Sequence, residues 1–189
     1  MIDSLRSHIL DRLGKKPEGL EEVLAAFEEK TGKKNEVLVE IGEVCRACYF
    51  IVSGCLKVVT YNYNGDESTT HLAFEGEWRT AMRSFINQQP SNERIVCVEP
   101  TRLALISREA FQRLSSEVPE FEFIYKVVLE ESYTHSIERV QTLMAMDAMH
   151  RLKWLLNQHP LIFTRLSNRL IASYLGLSEA TLSRLKAKL

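Results

Sequence analysis

The sequence predicts an α+β fold: an N-terminal antiparallel barrel or jelly roll (double-stranded β-helix), then one long helix, then a small C-terminal unit of helices. Three observations predict it. Short β-branched and aromatic runs, broken by turn residues, fill residues 36–107 with one helical interruption. From Ser107 onward the apolar spacing changes to threes and fours, the period of helices. Charge divides along the same line. Residues 151–189 hold seven basic side chains and one acidic one, a net +6, whereas the whole chain is −1, which leaves −7 on the first 150 residues. A basic terminal unit on an acidic body points to a polyanion partner for that unit alone.

The elements follow in order. Residues 3–13 have helical spacing. Residues 18–30 do as well, with Leu20, Val23, Leu24 and Phe27 on one face, Pro17-Glu18 as the start and Thr31-Gly32 as the stop. Strands are predicted at Glu36–Ile41, Tyr49–Val52, Leu56–Tyr63, Ser68–Phe74, Arg94–Val98 and Arg102–Ser107. Between two of them Asn64-Gly65 is a hairpin signal, because both residues tolerate the positive φ of a tight turn. A helical insert is expected at Trp78–Asn87, ending before Gln88-Gln89-Pro90. Ser107 is a helix cap ahead of Phe111 and Leu114. Pro119 opens the longest helix, which runs to about Met144 or beyond. On it Leu129, Tyr133, Ser136, Val140 and Leu143 form a heptad seam, read either as a face packed on the β-domain or as a parallel dimer interface. A shorter helix at 148–158 stops at His159-Pro160.

The last 22 residues carry the strongest motif. Ile171 and Leu175 stripe a short first helix, and Ala172 is small where a second helix must cross closely. Gly176 permits the sharp turn, Ser178 caps the next helix, and Leu182, Leu185 and Leu189 are expected to bury its inner face. This is a helix-turn-helix. Its outer face carries Glu179, Ala180, Ser183, Arg184 and Lys186, and those near its N-terminus are expected to enter the DNA major groove; Lys186 and Lys188 suit phosphates, and Asn168, Arg169, Ser178 and Thr181 complete the candidate DNA contacts. Arg184 can make a bidentate contact to guanine or bind a phosphate, Ser183 can hydrogen-bond either, and Glu179 can accept from a cytosine amino group.

The run Leu177-Ser-Glu-Ala-Thr-Leu-Ser-Arg184 resembles the recognition helix of the Crp–Fnr family of bacterial transcription regulators. Gly42-Glu43, Tyr49–Gly54 and Ile106–Phe111 resemble landmarks of that family's β-roll. The resemblance covers essentially the whole chain. It implies a cyclic-nucleotide-binding-like β-roll at 1–118, a dimerisation helix at 119–146 and a helix-turn-helix domain at 147–189. It further implies homodimers on palindromic double-stranded DNA and RNA polymerase as a further partner. Two departures stand out. Family members that bind cyclic nucleotides use a Gly-Glu pair for the ribose and an Arg followed by Ser or Thr for the phosphate. Here Thr80-Ala81 and Ser91-Asn92 fall at those positions. Without the charged anchors cyclic AMP is not the expected effector, since a buried phosphate needs a cationic partner. Arg79, Arg83 and Arg94 lie near the same cassette, Arg79 and Arg83 sharing one face of the insert helix, and with Ser136 of the long helix they complete the candidate effector pocket. The family's β-wing would follow the recognition helix, on which this sequence reaches Leu189; the wing is expected to be absent or the chain truncated.

Other functions are poorly supported. Cys45-x2-Cys48, Cys55 and Cys97 offer four thiols, but they lie on or beside predicted strands, where cysteines are buried small hydrophobes. His8, His71, His135, His150 and His159 are scattered, so no metal site is assigned. No phosphate loop, nucleophile elbow or carboxylate pair can be placed, so there are no catalytic residues and a non-enzyme without a cofactor is expected. With neither signal peptide nor membrane span the expected location is the cytoplasm, with no membrane partner. The alternatives are a small-molecule receptor acting through protein contacts and a thiol or metal redox sensor.

Overall fold

The computed structural model describes residues 2–14 and 16–189. Helices α1 (Ile2–Leu13) and α2 (Leu20–Ala25) precede eight strands: β1 (Glu28–Gly32), β2 (Val37–Val39), β3 (Ala47–Ser53), β4 (Leu56–Tyr61), β5 (Glu67–Ala73), β6 (Trp78–Arg79), β7 (Arg94–Cys97) and β8 (Thr101–Ser107). Helix α3 (Met82–Asn87) interrupts them. Then come α4 (Arg108–Glu117), α5 (Pro119–Ala145), α6 (Ala148–Gln158), α7 (Ile162–Arg165), α8 (Asn168–Leu175) and α9 (Glu179–Lys186). Among the described residues no helix is long and apolar enough to cross a membrane.

The strands form two antiparallel four-stranded sheets, ordered β1-β8-β3-β6 and β2-β7-β4-β5, which face each other as a jelly roll. Period-two alternation explains the dense apolar runs in β3 and β8. Tyr49, Ile51 and Leu103 point between the sheets and meet Leu56, Val58, Ile95 and Cys97. Phe50, Ala104 and Ile106 point outward, beneath Leu5 and Ile9 of α1, Leu20 and Val23 of α2, Leu114 of α4, and Phe121 and Ile124 of α5. Both faces of that sheet are therefore covered, and its central strands are apolar on both sides. The β3–β4 turn requires Gly54: its φ is +105°, and a Cβ there would lie 2.6 Å from Thr101 Oγ1.

Two expectations are corrected. The helix expected over 18–30 is confined to Leu20–Ala25, and Glu28–Gly32 is a strand paired with Leu105–Thr101 of β8. The apolar spacing located the buried face correctly, since Leu20, Val23, Leu24 and Phe27 are all buried. The following Glu28-Glu29-Lys30-Thr31 is a charged edge strand held by its backbone, so no hydrophobic alternation marks it. The insert expected as a helix from Trp78 begins instead as β6, with Trp78 and Arg79 paired to Phe50 and Tyr49, and turns helical only at Met82. Arg79 and Arg83 therefore share no helix face. Trp78 is drawn out of the helix by its packing: its ring lies against Phe27 and Phe50, and its Nε1 donates to His8 Nε2 at 3.0 Å.

Candidate functional site

Helix α8 starts on Ser167, whose Oγ accepts from the Leu170 N–H, a cap the sequence reading passed over. It ends at Gly176 in the left-handed region (φ 65°), where the N–H of Leu177 returns to the Ala172 carbonyl. Ser178 then caps α9 by accepting from the Thr181 N–H at 3.2 Å. Ile171, Ala172, Leu175 and Leu182 are fully buried between the two helices and α6, as the spacing requires. Leu185 is half-buried, and Leu189, expected on the inner face, is 59% exposed because α9 stops at Lys186. On the outer face Ser178, Glu179, Ala180, Ser183, Arg184, Lys186 and Lys188 are exposed, as are Asn168 and Arg169 at the start of α8; Thr181 is half-buried beside the cap. Arg184 lies back along its own helix, with Nη2 on Thr181 Oγ1 at 3.3 Å, and Lys186 Nζ sits 4.2 Å from the Phe163 ring centroid.

The C-terminal helices are docked on the β-roll, an arrangement the sequence reading did not anticipate. Cys55, Leu72 and Phe74 of the roll join the apolar core built by α6–α9. Ser173 Oγ donates to Thr69 Oγ1 and accepts from the Thr69 N–H, both at 3.1 Å. The His159 and Phe74 rings lie 4.0 Å apart between centroids. Arg165 bridges Glu75 and Glu99. Burial pushes the Glu75 carboxyl upward, but hydrogen bonds from Arg165 and from the backbone N–H groups of Glu75 and Gly54 outweigh it and leave it below the ordinary range. Arg139 of α5 donates to the Tyr174 carbonyl and stacks over the Tyr174 ring, while Arg151 of α6 donates to the Leu175 carbonyl at 2.8 Å. The end of α8 is thereby tied to the long helix.

A cavity of about 310 Å³ lies between the β-roll and α5. Of the candidate pocket residues, Arg79, Thr80 and Ser136 line it. Thr80 Oγ1 donates to the Ala47 carbonyl at 2.9 Å. Ala81 faces the core between the sheets, and Ser91 is buried with its Oγ bonded to the backbone of Glu93. Arg94 pairs with Glu67 at 2.7 Å, and Arg83 and Asn92 are exposed away from the cavity. The sequence reading missed His71, Glu93, Trp78, Phe111 and Tyr125 in its wall. Burial, then the charges of Arg79 and Arg139, lower the His71 pKa to about 4, so the ring is neutral at pH 7. Burial likewise pushes the Cys48 thiol up to about 12.

The seam residues Leu129, Tyr133, Val140 and Leu143 are 39, 66, 49 and 38% exposed, and Ser136 is half-buried with its Oγ on the Ser132 carbonyl. Leu129, Tyr133 and Ser136 also line the cavity, so seam and cavity meet on α5. All four cysteines are free thiols, and among the described residues no cluster of His, Cys, Asp and Glu is arranged to hold a metal ion.

Residues 29–117 match the family model of the cyclic nucleotide-binding domain. A search of curated protein sequences finds no match. Solved structures share the fold across nearly the whole chain. FixK2 from Bradyrhizobium japonicum is 17% identical, with 86% of this chain and 84% of that one covered at a TM-score of 0.72. A transcriptional regulator of the Crp/Fnr family from Eubacterium rectale is 14% identical, covering 93% and 84% at 0.71. The c-di-GMP-responsive global regulator CLP of Xanthomonas campestris is 18% identical, covering 96% and 90% at 0.69. Residues 29–117 are thus similar to the cyclic nucleotide-binding domain, and the chain shares its fold with a solved transcriptional regulator of the Crp/Fnr family.

Proposed function

We propose that this protein is a DNA-binding transcription regulator that works as a homodimer and answers to a small molecule held in the cavity beside α5. The observation that carries the reading is α9: a capped helix, anchored by Leu182 and preceded by the turn at Gly176, with Glu179, Ala180, Ser183 and Arg184 all exposed along one side. Such a helix fits a major groove with its N-terminal residues against base edges. The apolar seam on α5 supports pairing with a second copy, which would set two reading heads about one DNA turn apart. The shared residues Leu129, Tyr133 and Ser136 give a route from cavity to seam, because a ligand that favours one placement of α5 shifts the heads. No reaction is assigned; the output is occupancy of DNA.

The test is fluorescence anisotropy of the full chain on duplex DNA from its own promoter region and on a scrambled duplex, across a salt series. Specific binding with a steep salt slope, unchanged by cyclic AMP, is the expected result. Equal binding to both duplexes would remove the regulator reading.

A further inference from the structure

The cavity's chemistry identifies the class of ligand, and the inference rests on the cavity being an effector site. Its walls are mainly aromatic and aliphatic, with Trp78, Phe111, Tyr125 and Tyr133 among them. Flat rings pack against such walls by offset and edge-to-face contacts, which a flexible chain or a sugar cannot match. The polar lining is sparse. His71, Cys48, Thr80, Ser132 and Ser136 are neutral groups, and among the described lining residues the charged ones are Arg79 and Glu93.

Those two charges are uncommitted. Arg79 is half-buried, and its Nε is buried with no hydrogen-bond partner; among the described residues its side chain makes neither an ion pair nor a hydrogen bond. Glu93 is half-buried, and only its backbone is engaged, through Ser91. The two do not pair with each other, although burial raises the Glu93 carboxyl and Arg79 opposes that shift, which places them within electrostatic reach. One positive and one negative group leave the cavity neutral. An anion would satisfy Arg79 but be buried against Glu93, and burying an unbalanced charge is costly. A neutral molecule that accepts from one group and donates to the other satisfies both.

We propose that the cavity binds a neutral, flat aromatic or heteroaromatic molecule whose carbonyl-type acceptor takes a hydrogen bond from Arg79 and whose N–H or O–H donor gives one to Glu93. The fused-ring lactam 2-quinolone is the probe, since it carries acceptor and donor side by side; 2-naphthoate, of similar size but anionic, is the control. Both are titrated calorimetrically into the full chain and into Arg79→Met and Glu93→Met, with circular dichroism to verify folding. The expected result is 2-quinolone binding at least tenfold tighter than 2-naphthoate, with each substitution weakening the quinolone about tenfold. Glu93→Met should tighten naphthoate, because it removes the repelling carboxylate.

Preference for naphthoate, quinolone binding indifferent to both substitutions, or no binding of either probe would each overturn the ligand class. Specific promoter binding measured on the same preparation keeps that failure separate from failure of the regulator reading. If one of the substituted chains does not fold, the quinolone-to-naphthoate ratio of the native protein still decides the matter.

Discussion

Arg165 donates to Glu75 from Nη1 at 3.0 Å and from Nη2 at 2.8 Å, and so ties α7 of the C-terminal helical unit to the loop that follows β5. Glu99 shares the same guanidinium. The ion pair is partly exposed, with side chains 30 and 42% accessible, so its strength depends on geometry and on the network rather than on charge alone. Replacing Arg165 by Met removes these bonds and the guanidinium that stands 5.2 Å from the Phe74 ring centroid. Docking should weaken by about 1 kcal/mol. The amide of Thr69, held by Ser173 Oγ, should exchange its hydrogen faster in that variant, read by hydrogen exchange and mass spectrometry.

The same contact responds to acid in a definite direction. The folded Glu75 carboxyl titrates below its ordinary value, so its stabilising effect is present above that ordinary value and is lost as pH falls through the lowered one. In the wild type the Thr69 amide should lose protection as the protein is acidified through that range. In Arg165→Met most of this dependence should disappear, and an unaltered acid profile would remove the contact from the docking account.

Two histidines add a dependence nearer neutrality. Burial, and after it the charge of Arg12, lowers the His8 pKa to about 4, and burial lowers that of His71 equally. Both fold neutral, whereas in the unfolded chain they titrate near 6.5. Their contribution is complete above 6.5 and declines as pH falls toward 4, by up to about 1.4 kcal/mol per pH unit for each ring. Thermal melts at pH 7.5 and 5 should show a lower Tm in acid. His71→Gln should reduce the difference.

Gly176 separates the two helices of the motif at φ 65°, and a Cβ there would stand 3.4 Å from Arg151 Nη1. Gly176→Ala should cost about 1 kcal/mol or more of stability, because the left-handed conformation is strained for alanine. Removing the Ser178 cap with alanine should cost about 1 kcal/mol by a different route, an unsatisfied amide at the start of α9. Chemical denaturation measures both.

The exposed seam gives a prediction about assembly. Val140 is 49% exposed on a face continuous with Leu129, Tyr133 and Leu143. Val140→Glu should leave the single chain folded and shift sedimentation from a dimer to a monomer. A wild type that sediments as a monomer throughout would remove the seam from the account.

What the sequence revealed and what it hid have physical causes. Strands β3, β4, β5, β7 and β8 were readable because their apolar runs sit between turn residues, and α8–α9 because cap, turn glycine and leucine stripe are local features. Strand β1 was hidden because its pairing is made by backbone and its side chains are charged, and β6 because two residues carry no period. The cavity was only partly legible. Arg79, Thr80 and Ser136 line it, but His71, Glu93 and Tyr125 reach it from β5, the β7 approach and α5, and no spacing in the chain encodes that convergence. The docking of Arg165 on Glu75 spans 90 positions and has no local signature.

The central claim is that α9 reads DNA sequence, and Arg184 tests it most directly. Anisotropy titrations of wild type and Arg184→Ala, at one salt concentration, would be run on promoter DNA and on a scrambled duplex. The account predicts a loss of about 1–3 kcal/mol on the promoter sequence, with little change on the scrambled one and an unchanged Tm. An unchanged promoter affinity, or an equal loss on both duplexes, would contradict it.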